Sequence, residues 1–166
     1  MKKSSILLSI ITCLCSVAAS AIHAEGAGWT LNLERSEIAG EMASPESLTL
    51  AEKAHLMLVS TGIAPRGKEG QMALQEGLLS YQADLRFQAR LDGRDYPLDG
   101  LQHGDSIAIA VHDDDAVVST IKSGGNKVAS FKRTMDKDAQ MMVITARYFD
   151  DRGRVAARER LIFEQR

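Results

Sequence analysis

The chain has 166 residues, with 20 lysines and arginines against 22 aspartates and glutamates and a formal charge of −2. Neither sign gathers into a long block, which argues against nucleic acid and anionic membrane surfaces as partners. Its two cysteines, Cys13 and Cys15, both fall within the first 24 residues, so the rest of the chain has no means of forming a disulfide, a zinc–thiolate site or a cysteine nucleophile.

Those first residues read as a secretory signal. Lys2 and Lys3 form a basic n-region, Ile6 to Ala19 is an uncharged apolar run too short to span a bilayer comfortably, and small residues offer cleavage after Ala21 or Ala24. The residues before the cysteines do not resemble a lipoprotein cleavage box, so a free soluble product is expected, periplasmic or secreted, with no membrane span in the mature chain. Residues 1–24 are thus assigned as signal peptide and 25–166 as a single β domain, about 140 residues being ample for one core. Without Lys2 and Lys3 the mature chain keeps 18 basic and 22 acidic residues, a charge of −4.

From its start, Gly26 to Leu33 predicts a first strand, with Trp29, Leu31 and Leu33 on one face, and Glu34 to Ala43 a polar loop. Ser44-Pro45 is a helix-start signal, serine as cap and proline in the first turn. Leu48 to Thr61 then reads as a helix that Gly62 ends. Its apolar positions wrap too broadly for one clean face, so two strands, Leu48–Leu50 and His55–Val59, are the alternative. Ala64 to Gly70 is loop by composition. Gln71 to Glu76 reads as a short helical turn, making 41–77 a variable, helical insertion.

Residues 79 to 91 alternate without error: Leu79, Tyr81, Ala83, Leu85, Phe87, Ala89 and Leu91 are apolar, and the six residues between them are polar. The alternation predicts one strand of roughly 40 Å. Asp92-Gly93 then signals a hairpin. Ile107–Val111, Val117–Lys122, Lys127–Met135, Gln140–Phe149 and Val155–Phe163 follow as strands, separated by Asp113-Asp114-Asp115, Ser123-Gly124-Gly125-Asn126, Asp136-Lys137-Asp138 and Asp150-Asp151-Arg152-Gly153. Short strands at this spacing describe an all-β antiparallel meander closing into a small barrel, which would remove its exposed edges.

The combination of Trp29-Thr30-Leu31-Asn32, the strand leading into Asp92-Gly93-Arg94-Asp95-Tyr96-Pro97 and the later hairpins with Gly124-Gly125-Asn126-Lys127 resembles small exported bacterial lipocalin-like proteins. These are calycin-type barrels, mostly without assigned function. The resemblance covers the first strand and residues 79–164, and the segment 41–77 departs from it. Ala27 stands where the lipocalin Gly-x-Trp opening has glycine. The resemblance implies a lipocalin-like barrel with a basic residue of the last strand, Arg158 or Arg160, packed over Trp29.

For chemistry, His55, His103 and His112 share no metal-ligand spacing, and His112 beside Asp113, Asp114 and Asp115 reads as a solvated turn rather than a cation site. There is no nucleophile elbow, phosphate loop or dinucleotide fingerprint. No enzyme activity, cofactor or metal is therefore expected. What stands out is charge on faces that are otherwise apolar. Arg133 shares a side with Ala129, Phe131 and Met135, and Glu159 shares one with Val155, Ala157, Leu161 and Phe163. An interior charge must find a partner. Arg133 is thus a candidate anchor for a ligand carboxylate, an internal partner of Glu159, or a residue at a strand end or bulge. Phe87, Phe131 and Tyr148 would line the cavity, and small inward residues such as Ala89 and Ala146 would give it room. In Met141–Phe149 the even positions form the apolar side, which sends Arg147 outward. The function expected is a periplasmic binding module for a small apolar or amphipathic ligand. The competing expectation is a solid-cored module acting on an envelope protein as inhibitor, chaperone or assembly factor.

Overall fold

The computed structural model describes residues 25–26, 28–39, 50–63, 71–75, 78–83, 85–112, 116–136 and 140–165. The signal segment, the Ser44-Pro45 cap and the Asp113–Asp115 turn lie outside them. The described residues form eleven strands and one helix, in the order β1 (Glu25–Gly26), β2 (Trp29–Glu37), α1 (Leu50–Ser60), β3 (Gln71–Gln75), β4 (Leu78–Gln82), β5 (Arg86–Arg90), β6 (Asp92–Leu101), β7 (Gly104–Val111), β8 (Val117–Ser123), β9 (Asn126–Asp136), β10 (Met141–Phe149) and β11 (Val155–Gln165). All strands join one antiparallel sheet, ordered β1-β2-β11-β10-β9-β8-β7-β6-β5-β4-β3. From β3 to β11 each strand pairs with the next in sequence, and β2 returns to lie beside β11. The all-β meander is as the sequence predicts. The sheet is not closed: among the described residues no ladder joins β3 to β1 or β2.

Register carries the period-2 pattern of each strand into a common inner face. Ile109 faces Ser119, Ser119 faces Phe131, Phe131 faces Ala146, and Ala146 faces Glu159 in one row running from β7 to β11. In the next row Arg133 faces Ile144, which faces Leu161. Ala129, Phe131, Met142, Ile144, Ala146, Leu161 and Phe163 are all buried, and Arg147 points outward and is exposed. The β8–β9 turn pairs Ser123 with Asn126 across Gly124 (φ 55°) and Gly125 (φ 83°). Two consecutive positive φ values make a type I′ turn, whose twist matches the strands it joins.

The alternating stretch 79–91 is not one strand. It folds back after Gln82, which pairs with Arg86, and Ala83 N donates to Leu85 O at 3.0 Å to close the turn. The reversal pairs Leu79 with Ala89 and Tyr81 with Phe87, so odd residues meet odd residues and the inner face survives intact. The β5–β6 pairs Arg86–Asp99 and Phe87–Leu98 then place Asp92-Gly93 at the next reversal, where the hairpin signal expects it. Two other expectations are corrected. Part of the polar segment expected as loop, Glu34–Glu37, continues β2 as an irregular edge in which Ser36 Oγ donates to Asn32 O (2.6 Å) and accepts from Ile162 N (3.0 Å). This irregularity turns Leu33 outward. Gln71–Gln75, expected as helical, is β3, because its backbone pairs with β4.

Helix α1 explains its own unclear face. Ala54, Met57, Leu58, Val59, Ser60 and Thr61 have no exposed surface, and Leu56 is buried as well. Over residues 56–60 the helix is buried all round and needs no single apolar stripe, while Glu52 in its first turn is exposed. It ends as the sequence predicts, at Gly62 (φ 82°), with Gly62 N donating to Val59 O at 3.1 Å and Ile63 N to Leu58 O at 2.9 Å. These two bonds form a Schellman cap. The helix meets β4 through His55 and Tyr81 (Nε2 to OH, 3.1 Å) and β9 through Thr61 and Arg133. β4 and β9 stand five places apart in the sheet. A flat sheet would hold them about 24 Å apart, far beyond the width of one helix. The sheet therefore curls around α1, and the core is the helix packed inside that curl.

Candidate functional site

The five residues singled out by sequence fall into three places. Phe131, Tyr148 and Glu159 come together on the inner face of β9–β11. The Phe131 and Tyr148 rings meet edge to face, 6.3 Å between centroids and 77° apart, and Tyr148 OH donates to Glu159 Oε2 at 2.8 Å. Glu159 is 2% exposed, so its carboxyl needs such a donor to offset the water it has lost. Burial raises the Tyr148 hydroxyl well above the ordinary tyrosine range, and the neighbouring Glu159 carboxyl, by charge and by hydrogen bond, raises it further.

Arg133 lies elsewhere. Its Nη1 donates to Thr61 O at 2.7 Å, at the C-terminal end of α1, where helix carbonyls lack partners within the helix and the dipole favours a cation. Gly62 sits beside it: a methyl group built there would lie 3.7 Å from Leu79 Cδ2 and 4.0 Å from Arg133 Nη1. Burial holds the guanidinium below the usual arginine range, and its Nε is buried without a hydrogen-bond partner. No ion pair joins it to Glu159. Their Cα atoms are two strands and two residues apart, about 12 Å, and of the alternatives for Arg133 the internal Arg–Glu pair is not formed. The sequence pattern finds Arg133 but not its partner, because a main-chain carbonyl at a helix end leaves no side-chain signature.

Phe87 belongs to a third place. It packs against Tyr81 (6.4 Å between centroids) and edges an open cleft of about 340 Å³ that also involves Gln82, Arg86, Pro97 and Asp99. A second open cleft, about 430 Å³, lies at the hairpin ends between His103, Lys127, Phe149 and Asp151. Its Asp150 is already committed: the carboxylate accepts from the Arg154 backbone N–H (2.8 Å), Arg154 Nε (2.9 Å) and the Arg152 backbone N–H (3.0 Å), which hold it below the usual carboxylate range. Among the described residues no three His, Cys, Asp or Glu side chains gather to hold a metal ion.

Among the described residues neither Arg158 nor Arg160 caps Trp29. It faces Gln165 across the ladder, whereas Arg160 faces Glu37 at the other end of β2, out of stacking range. Comparison with protein-family models, with curated proteins and with solved structures finds no match to this chain.

Proposed function

We propose that this is an exported, solid-cored, lipocalin-like β module that acts through its outer surface on another protein of the cell envelope, as an inhibitor, chaperone or assembly factor. One observation carries this choice: the concavity a ligand would occupy is filled by α1, whose Ala54, Met57, Leu58 and Val59 have no exposed surface. A small barrel's inner face is either filled or left as a pocket. Here Tyr81, Phe131 and Phe163 are fully buried in the same core cluster as those helix residues. Export rests on the signal-like residues 1–24, and the barrel-like closure on the curl of the sheet around α1. The test is a titration of the delipidated protein with a fluorescent fatty acid. No saturable binding is expected, and saturable binding at low micromolar probe would overturn the proposal.

A second reading has its own support. Ser119 Oγ and Arg133 Nε are both buried without hydrogen-bond partners on the inner face, and unpaired polar atoms in an apolar interior are what a ligand headgroup would satisfy. On this reading α1 yields its place to a small amphipathic ligand, with Arg133 and the Phe131–Tyr148–Glu159 group around it and Phe87 toward the cleft. The same titration then saturates, and Arg133→Met weakens it about tenfold or more.

A further inference from the structure

Resting on the surface-acting reading above, we propose that the outer face of β9, β10 and β11 docks an acidic segment of the partner protein, held by Arg147, Arg158 and Arg160 with Lys132 beside them. Arg147 stands directly opposite Arg158 in the β10–β11 ladder. Arg160 follows two residues along the same face, opposite Thr145, which in turn faces Lys132 on β9. At ~4.8 Å between strands and ~6.7 Å between alternate residues, these four cations occupy a patch roughly 10 Å across. Arg147, Arg158 and Lys132 are exposed, and Arg160 is half-buried.

Two features mark the patch as more than ordinary surface. Like charges directly opposite each other in an antiparallel ladder repel, so the Arg147–Arg158 pair works against the fold that carries it. Several cations elsewhere reach carboxylates: Arg35 reaches Glu164 at 2.7 Å, Lys122 reaches Asp95 at 2.6 Å, and Arg154 reaches Asp150 at 2.8 Å. Arg147, Arg158 and Arg160 have no ion-pair partner among the described residues, and Glu37, across β2 from Arg160, closes none. This local excess of positive charge sits on a chain whose formal charge is −2.

The chemistry favours carboxylates of a protein over a lipid surface. Guanidinium forks bind carboxylates through two parallel hydrogen bonds. Interfacial membrane binding needs apolar anchors as well as charge. The exposed large apolar residues are Leu33, Ile38, Val111, Met135 and Val155. Met135, opposite the buried Met142, keeps the parity of the inward-facing Phe131, and only Val155, set opposite Phe149 by a register shift at the end of the β10–β11 ladder, falls in the outer rows, a single apolar residue where a membrane would need several.

The experiment is fluorescence anisotropy with a labelled oligoglutamate peptide. The wild type should bind it, more weakly as salt is added, and Arg147→Glu with Arg158→Glu should weaken it about tenfold or more. Arg94→Glu, on an exposed cation of β6, should leave it unchanged. The single substitution Arg147→Glu turns repulsion across the ladder into attraction, so it should raise Tm by about 1–4 °C while it weakens the peptide. The proposal is overturned if the wild type does not bind the peptide, if the double variant binds as tightly, or if phosphatidylglycerol vesicles capture the wild type through these arginines. Failure of the underlying reading shows separately, as saturable fatty-acid binding. A protein that binds neither probe overturns the docking face alone.

Discussion

Arg133→Met and Glu159→Gln, made singly and together, test where the interior charges find their partners. The Arg133 bond to Thr61 O is charge-assisted at 2.7 Å. Its loss should cost about 1.5–3 kcal/mol, with a further ~0.3–1 kcal/mol from the favourable cation at a helix C-terminus. Against that stands relief: the guanidinium is partly desolvated and its Nε has no partner, a burden of about 1–3 kcal/mol that methionine does not carry. The net expectation is a destabilisation of roughly 1 kcal/mol. Glu159→Gln keeps an acceptor for Tyr148 OH and should also cost roughly 1 kcal/mol. With the two Cα atoms about 12 Å apart, the double variant should be additive within ~0.5 kcal/mol. Urea unfolding at constant m-value measures all four corners of the cycle. An Arg133→Met loss of about 3–5 kcal/mol, or a coupling above ~1 kcal/mol, would mean a buried ion pair and refute this geometry.

Two further outcomes follow from the core. Tyr148→Phe removes the hydroxyl donor from buried Glu159 and should cost about 1–3 kcal/mol in the same assay. The native hydroxyl titrates above the ordinary tyrosine value of 10.0, so the unfolded chain loses that proton first. Its contribution is therefore full below about pH 10 and falls as pH rises further, and melts from about pH 8 to 11 should show this alkaline loss flattened in Tyr148→Phe. Gly104→Ala should destabilise by about 1–3 kcal/mol, because the added methyl meets Ile121 Cγ2 at 2.8 Å and Leu101 Cδ1 at 3.2 Å inside the sheet. A melt unchanged from wild type would contradict that packing.

The all-β class was legible because period-2 alternation survives in nearly every strand, and the turns were legible where two glycines or Asp-Gly mark the reversal. The stretch 79–91 shows the limit of that signal. A reversal between Gln82 and Arg86 pairs odd residues with odd residues, so Leu79, Tyr81, Phe87 and Ala89 face inward whether the chain runs straight or folds back. Alternation alone does not distinguish the two cases. Length was the available clue, since thirteen residues far exceed an ordinary strand. Gln71–Gln75 departs from its expected helical turn for a related reason: its strand identity comes from the β4 backbone beside it rather than from its own side chains.

Helix α1 and Arg133 belong to one argument. The helix lacks a clean apolar face because its residues 56–60 are buried all round, so the irregularity in its sequence pattern reflects its burial. Arg133 breaks the inward row of β9 because that row passes the helix's C-terminal end, where Thr61 O needs a donor. The same geometry turns a candidate ligand anchor into a clamp on the element that fills the interior. In both cases the departure from a regular pattern was visible in the sequence, while its cause lay in a partner far along the chain. Arg147 and Arg158 differ from these: each obeys its strand's pattern, and only the register of β10 against β11 brings the two charges face to face.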